Sequence, residues 1–168
     1  MASIADLIIY EEDLSRINEC LATLHRKARS TAVLLIDPSG QLIASVGDTD
    51  GLDTTPLASL AAGSIAAAGA LAQLLGEKEF SFIFYDGERK RLHLSLIGGR
   101  AILLVLLDQK SAVALVRLQV KRYAREIDEI FDDLSRRPQQ LPGEGGLASE
   151  SAMGDITDDD VENLFETG

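Results

Sequence analysis

The side chains able to do chemistry in this chain are few and scattered. His25 and His93 are the only histidines, and neither has a Cys or second His at ligand spacing, so no metal site is expected. Cys20 is the only cysteine. It flanks an apolar helical face, where a thiol reads as a small buried hydrophobe rather than a nucleophile. One cysteine cannot form an intrachain disulfide and fits a reducing compartment, hence a cytoplasmic expectation. Gly98-Gly99 is a strand turn without the pattern of a phosphate loop. Arg89, Lys90, Arg91 and Arg100 fall at or near hairpin ends. Such an arginine could reach a partner's phosphates, but a solvated basic turn is the simpler expectation for each. Carboxylates are plentiful, yet none falls in a pocket that the sequence defines. No catalytic, cofactor or metal constellation emerges, which points to a binding protein or a regulator.

Charge supports that reading. The formal net charge is −11 over 168 residues, with 27 acids against 16 bases. No Lys or Arg follows Arg137, whereas Glu144, Glu150, Asp155, Asp158, Asp159, Asp160, Glu162 and Glu166 do. The body is therefore nearly balanced and the end is acidic. An acidic end repels phosphate, so nucleic acid is not an expected partner. The N-terminus lacks the basic start and apolar core of a secretion signal.

The elements that must position any site follow from periodicity. Leu14, Ile17, Leu21, Leu24 and Ala28 give a first helix from about Glu11 to Lys27. Thr31–Ile36 and Gln41–Val46 are strands joined by the turn Asp37-Pro38-Ser39-Gly40. Thr55 and Pro56 open a second helix that ends near Leu75, with Gly76 after it. Phe80, Phe82 and Phe84 alternate as a strand, as do Leu92, Leu94 and Leu96. Ala101–Leu107 is a continuous apolar run, as expected of a central strand covered on both faces. A last helix spans about Ser111 to Ser135, with Val113, Val116, Val120, Ala124, Ile127, Phe131 and Leu134 on one face. The expected fold is α+β, ordered α-β-β-α-β-β-β-α, with an antiparallel five-stranded sheet and helices on both faces. This domain is assigned to residues 1–135, a flexible linker to 136–154 and an acidic motif to 155–168.

Two stretches could carry function. Thr54–Gly76 has no charged residue and is long enough to cross a bilayer. Its Ala, Gly, Ser and Thr content and its lack of Lys/Arg anchors argue against membrane insertion. Ala62, Ala66 and Ala70 fall on one stripe, Ser59, Gly63 and Ala67 on an adjacent one, and Leu57, Leu60, Leu71, Leu74 and Leu75 cluster elsewhere. The leucine side is expected to cover the sheet. The smooth side then offers a surface for another backbone; the alternative is a helix buried in an ordinary core. At the chain end, Thr157 can cap a short helix with Asp160 at its third position, and Ile156 can staple onto Val161. Val161, Leu164 and Phe165 then form an apolar face, too short to be a stable helix alone and suited to a receiving groove.

Particular strings add a resemblance. Tyr10-Glu11-Glu12, Gly40-Gln41-Leu42-Ile43, Asp53-Thr54-Thr55, Leu57-Ala58-Ser59-Leu60, Leu74-Leu75-Gly76-Glu77 and Leu115-Val116-Arg117-Leu118, in this order, resemble the Roadblock/dynein light chain family and its MglB-like bacterial branch. The segment Ile156 to Phe165 resembles the ending of some of those proteins. The resemblance implies a homodimer whose sheets join edge to edge and whose second helices pair, with Ser59, Gly63, Ala67, Phe82 and Phe84 in the dimer interface. It also implies a Ras-like small GTPase of the MglA type as partner. That partner would meet Ala62, Ala66, Ala70 and Gln73 on the helix and Ile156, Val161, Leu164 and Phe165 on the tail. The implied activity is that of a GTPase-activating protein in cell polarity and motility, acting in the cytoplasm at a cell pole. The alternative within the same fold is a scaffold that dimerises and binds partners without stimulating hydrolysis.

A chain ending at Pro142 loses nothing apolar from the body and is expected to keep its core. Its thermal midpoint and circular dichroism should match those of the full chain, and a collapsed fold would refute the linker assignment.

Overall fold

The computed structural model describes residues 7–138. The terminal motif with Ile156, Val161, Leu164 and Phe165, and the linker beyond Pro138, lie outside the described residues. The elements are α1 (Glu11–Ala28), β1 (Ala32–Ile36), β2 (Leu42–Gly47), α2 (Thr54–Leu74), β3 (Ile83–Asp86), β4 (Lys90–Ile97), β5 (Ala101–Asp108) and α3 (Val113–Arg136). The five strands form one antiparallel sheet in the order β2-β1-β5-β4-β3. The expected α+β order and antiparallel sheet are therefore present.

The central pair, β1 and β5, is buried along almost its whole length. Their side chains alternate between two apolar layers, because successive residues of a strand point to opposite faces. Val33, Leu35, Leu103, Val105 and Leu107 join Ile17, Leu21 and Leu24 of α1 and Val116, Tyr123, Ile127 and Phe131 of α3. Ala32, Leu34, Ile36, Ile102, Leu104 and Leu106 join Leu94 of β4 and the α2 alanines Ala58 and Ala61. Helices thus cover both faces, α1 with α3 on one and α2 on the other.

Turn chemistry sets these positions. Asp37 Oδ1 accepts from the Ser39 hydroxyl at 2.7 Å and from the Gln41 amide at 2.8 Å, closing the β1–β2 turn. Gly40, at φ +92°, ends it, and a Cβ there would stand 2.9 Å from the Ser59 Cα of α2. Glycine is needed for the backbone and for the close approach. Gly98 and Gly99 both have positive φ, as the centre of a type I′ turn requires; the connection holds three residues, since Ile97 pairs with Ala101, and the Arg100 amide donates to Ile97 O at 2.9 Å.

Several details depart from the sequence reading. The second helix starts at Thr54 after Asp53, so Thr55 is not its cap, and no side-chain cap bond is formed. Pro56 becomes the third helical residue, still among the amides without an intrahelical partner, so its ring removes nothing. The β3 strand is only four residues long, leaving Phe80 and Phe82 ahead of it. On α3 the buried face also includes Tyr123 and Ile130.

The main correction concerns α2. The leucine side does not cover the sheet: Ala58, Ala61 and Ala72 are the buried residues, aided by half-buried Leu57, Ala62 and Ile65. Leu60, Leu74 and Leu75 are 70%, 84% and 70% exposed. The sequence is apolar all round, so periodicity could not choose the inner face. The sheet face beneath is already filled by Leu34, Ile102 and Leu104, which leaves room only for methyl groups. By length and composition α2 is the one helix among the described residues able to cross a membrane. Its alanine stripe, however, covers those strand leucines, and withdrawing it would bare them.

This orientation is testable by size. Ala58→Leu forces a larger side chain against the filled sheet and should lower stability by about 1–3 kcal/mol. Leu60→Ala, on the outer face, should change it by roughly 0.5 kcal/mol or less. Urea unfolding of both variants checks this, and the reverse ranking would invalidate the assigned faces.

Candidate partner interface

Facing outward, α2 presents Ser59, Gly63, Ala66, Ala67, Ala70 and Gln73, all outside the buried core, bordered by Leu60, Leu71 and Leu74. Of the sequence-derived partner residues on this helix, only Ala62 is turned inward; it is half-buried against the α2-side core, close to Gly40. Smooth stripe and leucines therefore lie on one face rather than on opposite ones.

That face continues onto the sheet edge. A groove between α2 and β3 is lined by Leu60, Gly63, Ala67, Leu71, Phe80 and Tyr85 among others. The Tyr85 hydroxyl lies 3.1 Å from Ser64 Oγ and pins the strand to the helix. β3 is an outer strand, so one row of its backbone N–H and C=O groups has no partner within the sheet. An uncharged helix face, exposed leucines and an open strand edge form one apolar surface, of the kind that marks a protein contact. Leu60, Leu71, Leu74, Leu75, Phe80 and Tyr85 belong to it and were not singled out by sequence as contact residues. The available signal was a long helix with no charge on any side, more apolar surface than one sheet face can cover.

Phe82 and Phe84, the sequence-derived edge residues, also line this groove, with part of each ring turned inward. Both are half-buried, and Phe84 packs into the α1/α3 core. Phe82 stacks on His93, with ring centroids 5.2 Å apart, and the Arg117 guanidinium lies 4.3 Å from its centroid. His93 is 2% exposed. Burial, together with the positive charge of Arg117, lowers its pKa to about 4 and keeps the imidazole neutral.

The hairpin arginines are not all free. Arg91 donates to Asp86 Oδ1 at 3.1 Å, to Gln109 Oε1 at 2.8 Å and to Ser111 O at 3.3 Å. Arg100 donates to Asp128 Oδ1 at 2.5 Å and Asp132 Oδ1 at 2.8 Å. Burial disfavours the Arg100 charge, but those hydrogen bonds and the two carboxylates outweigh it and raise its pKa. The solvated basic turn expected for these two is thus replaced by internal clamps, whereas Arg89 and Lys90 are exposed. Cys20 is half-buried, and burial, followed by the Glu126 charge and a contact to that carboxylate, raises its thiol pKa. That suppresses the thiolate a nucleophile needs. Among the described residues no group of His, Cys, Asp and Glu is arranged to hold a metal ion.

Neutral His93 makes a pH prediction. Its folded value lies below the ordinary 6.5, so the unfolded chain takes up the extra proton first. Its contribution to stability is complete above about pH 6.5 and is lost as pH falls through about 4, up to roughly 3 kcal/mol. The His93→Gln variant should lose less stability than the parent between pH 7 and pH 4.5 in urea titrations. Parallel curves would refute the assignment.

The comparisons with known proteins agree with this architecture. The family model of the Roadblock/LC7 domain matches residues 16–107. The solved structure of Myxococcus xanthus MglB is 42% identical, with a TM-score of 0.69, covering 71% of this chain and 98% of that one. A structure described as MglB with tetrameric arrangement is 29% identical, with a TM-score of 0.72, covering 80% of this chain and 99% of that one. The gliding protein MglB from Thermus thermophilus is 29% identical, with a TM-score of 0.71, covering 79% of this chain and 99% of that one. No curated protein sequence matches the chain. On the family match, the identity to a solved MglB and the shared topology, the chain belongs to the Roadblock/LC7 family.

Proposed function

We propose that this protein is a homodimeric regulator of a Ras-like small GTPase of the MglA type and accelerates its GTP hydrolysis. The observation that carries this reading is the exposed, uncharged face of α2 running into the free edge of β3. Two copies joined along β3 extend the sheet and bring their α2 helices side by side, with Ser59, Gly63 and Ala67 allowing close approach. The paired helices then form a platform on which Ala66, Ala70 and Gln73, with Ala62 at its base, meet the GTPase. The similarity to MglB of Myxococcus xanthus and to the gliding protein MglB of Thermus thermophilus supports that partner and a role in motility and polarity.

The mode of action is rearrangement of the GTPase's own catalytic groups. Arg91 and Arg100 are committed to internal carboxylate and carbonyl partners and are poor candidates for an arginine finger. The terminal segment, with Ile156, Val161, Leu164 and Phe165, is the second anchor on the GTPase and the element through which nucleotide exchange would be promoted. Its apolar spacing and its carboxylates near the helix start suit folding upon a groove. Action at a cell pole in the cytoplasm belongs to the same reading. A scaffold that pairs and binds without stimulating hydrolysis is the competing role for the same surface.

Mixing the purified protein with a GTP-loaded GTPase of this type and measuring phosphate release separates the two. Stimulation of about tenfold or more, a barrier change of about 1.4 kcal/mol, is expected. Ala66→Arg and Ala70→Arg, both at exposed positions, should abolish it while leaving the thermal midpoint unchanged. Binding without stimulation would leave the scaffold role standing, and variants with full stimulation would remove α2 from the contact.

A further inference from the structure

Away from the α2–β3 groove, a second groove opens between α3 and β4. His93, Ser95, Leu96, Arg117, Leu118 and Lys121 are among its lining residues. The chain is acidic overall, yet among the described residues no Asp or Glu lines this groove. The groove between α1 and α3 is the opposite, bordered by Glu19, Glu126, Glu129, Asp132 and Asp133.

Four groups in the α3–β4 groove have hydrogen-bonding capacity to spare. Ser95 Oγ and His93 Nδ1 are enclosed without a partner, on residues 6% and 2% exposed. A buried polar atom left unpaired is a standing cost, which an entering polar ligand removes. Arg117 and Lys121 are exposed, and among the described residues neither forms an ion pair with a carboxylate. Arg91 and Arg100, by contrast, spend their donors inside the chain. All four groups can donate: guanidinium and ammonium always, the hydroxyl by rotation, the neutral imidazole with its proton on Nδ1.

Their spacing fits one kind of ligand group. Arg117 and Lys121, four apart on α3, share a helix face and stand about 6 Å apart along its axis. His93 and Ser95, two apart on β4, share a sheet face at about 7 Å. That face is the one covered by α3, since their cross-strand partners Val105 and Leu103 lie in the α1/α3 core. Donors on two walls suit an oxyanion whose oxygens point several ways. A carboxylate offers two oxygens in one plane and a single charge. A phosphate monoester offers three oxygens about a tetrahedral centre and nearly two charges, matching the two cations. Beside those cations Leu118 is 64% exposed, which favours an apolar group on the fourth oxygen.

We propose that the α3–β4 groove binds a small-molecule phosphate monoester, its phosphate on Arg117, Lys121, Ser95 and His93 and its organic group over Leu118. The polar floor is two strand residues wide and one helical turn long, the size of a single phosphate rather than of a peptide track. This inference does not rest on the GTPase reading and can stand or fall without it.

Phenyl phosphate is the probe, added to the full chain at pH 7 and followed by calorimetry and by amide chemical shifts. A dissociation constant of about 1 mM or below is expected, with the shifts centred on Ser95, Arg117 and Lys121. Ser95→Ala should weaken binding about tenfold while the thermal midpoint stays equal or rises, because the unpaired hydroxyl is gone. A residue with a purely structural role would not give that split. Lys121→Gln, at an exposed position, should weaken binding to a similar degree. Inorganic phosphate and benzoate should each bind at least about fivefold more weakly than the ester, lacking the apolar group or the third oxygen. Equal binding of either, shifts centred elsewhere, or no binding at roughly 10 mM would overturn the proposal. So would a phosphoserine peptide that binds far more tightly than the ester, since a phosphorylated protein would then be the occupant.

Discussion

Two central strands with no polar face govern this molecule. Because β1 and β5 are apolar on both sides, a helix layer must lie over each. The two layers solve the problem differently. One uses two amphipathic helices, α1 and α3, whose large side chains interlock with Val33, Leu35, Leu103 and Val105. The other uses one helix, α2, in contact largely through methyl groups. A single helix with no polar side cannot hide all of itself on one sheet face, so apolar surface is left over. That surplus is continuous with the open β3 edge and forms an apolar surface of the kind that marks a protein contact.

The α1/α3 layer is organised by charge as well as by packing. Asp13, whose side chain is fully buried in the first turn of α1, receives Arg137 at 2.7 Å, and Arg16 lies at 3.8 Å. Arg100, from the β4–β5 turn, reaches Asp128 and Asp132 on α3. These clamps tie α3 at two places: one where the last helix leaves the domain, the other against the hairpin below it. Removing one partner of such a pair leaves an uncompensated charge, a heavier loss than the pair's net gain. They also withdraw the arginines that otherwise look available for work outside the chain.

Much of this was legible in the residues. Alternation and turn residues located the strands, since Asp37-Pro38-Ser39-Gly40 and Gly98-Gly99 have few other uses. The three-to-four spacing of Ile17, Leu21 and Leu24 located α1 without ambiguity. α2 was legible as a helix but not in its orientation, because Ala, Leu and Gly occur on every side and the deciding fact, how full the sheet face already is, is tertiary. The clamps were hidden for a similar reason. Asp13 and Arg137 are 124 residues apart, and only folding brings them together. The outer face of α2 was half visible: Ala66, Ala70, Ser59, Gly63 and Ala67 do face outward, while the leucines beside them were expected on the opposite side.

The approach of Gly40 to Ser59 has a mechanical meaning. Near its start, α2 approaches the β1–β2 corner backbone to backbone, without any side chain between. Any side chain at position 40 would therefore lift the start of this helix off the β1–β2 corner. The depth at which α2 seats, and so how far its outer face stands above the sheet, is set at that corner by a missing side chain.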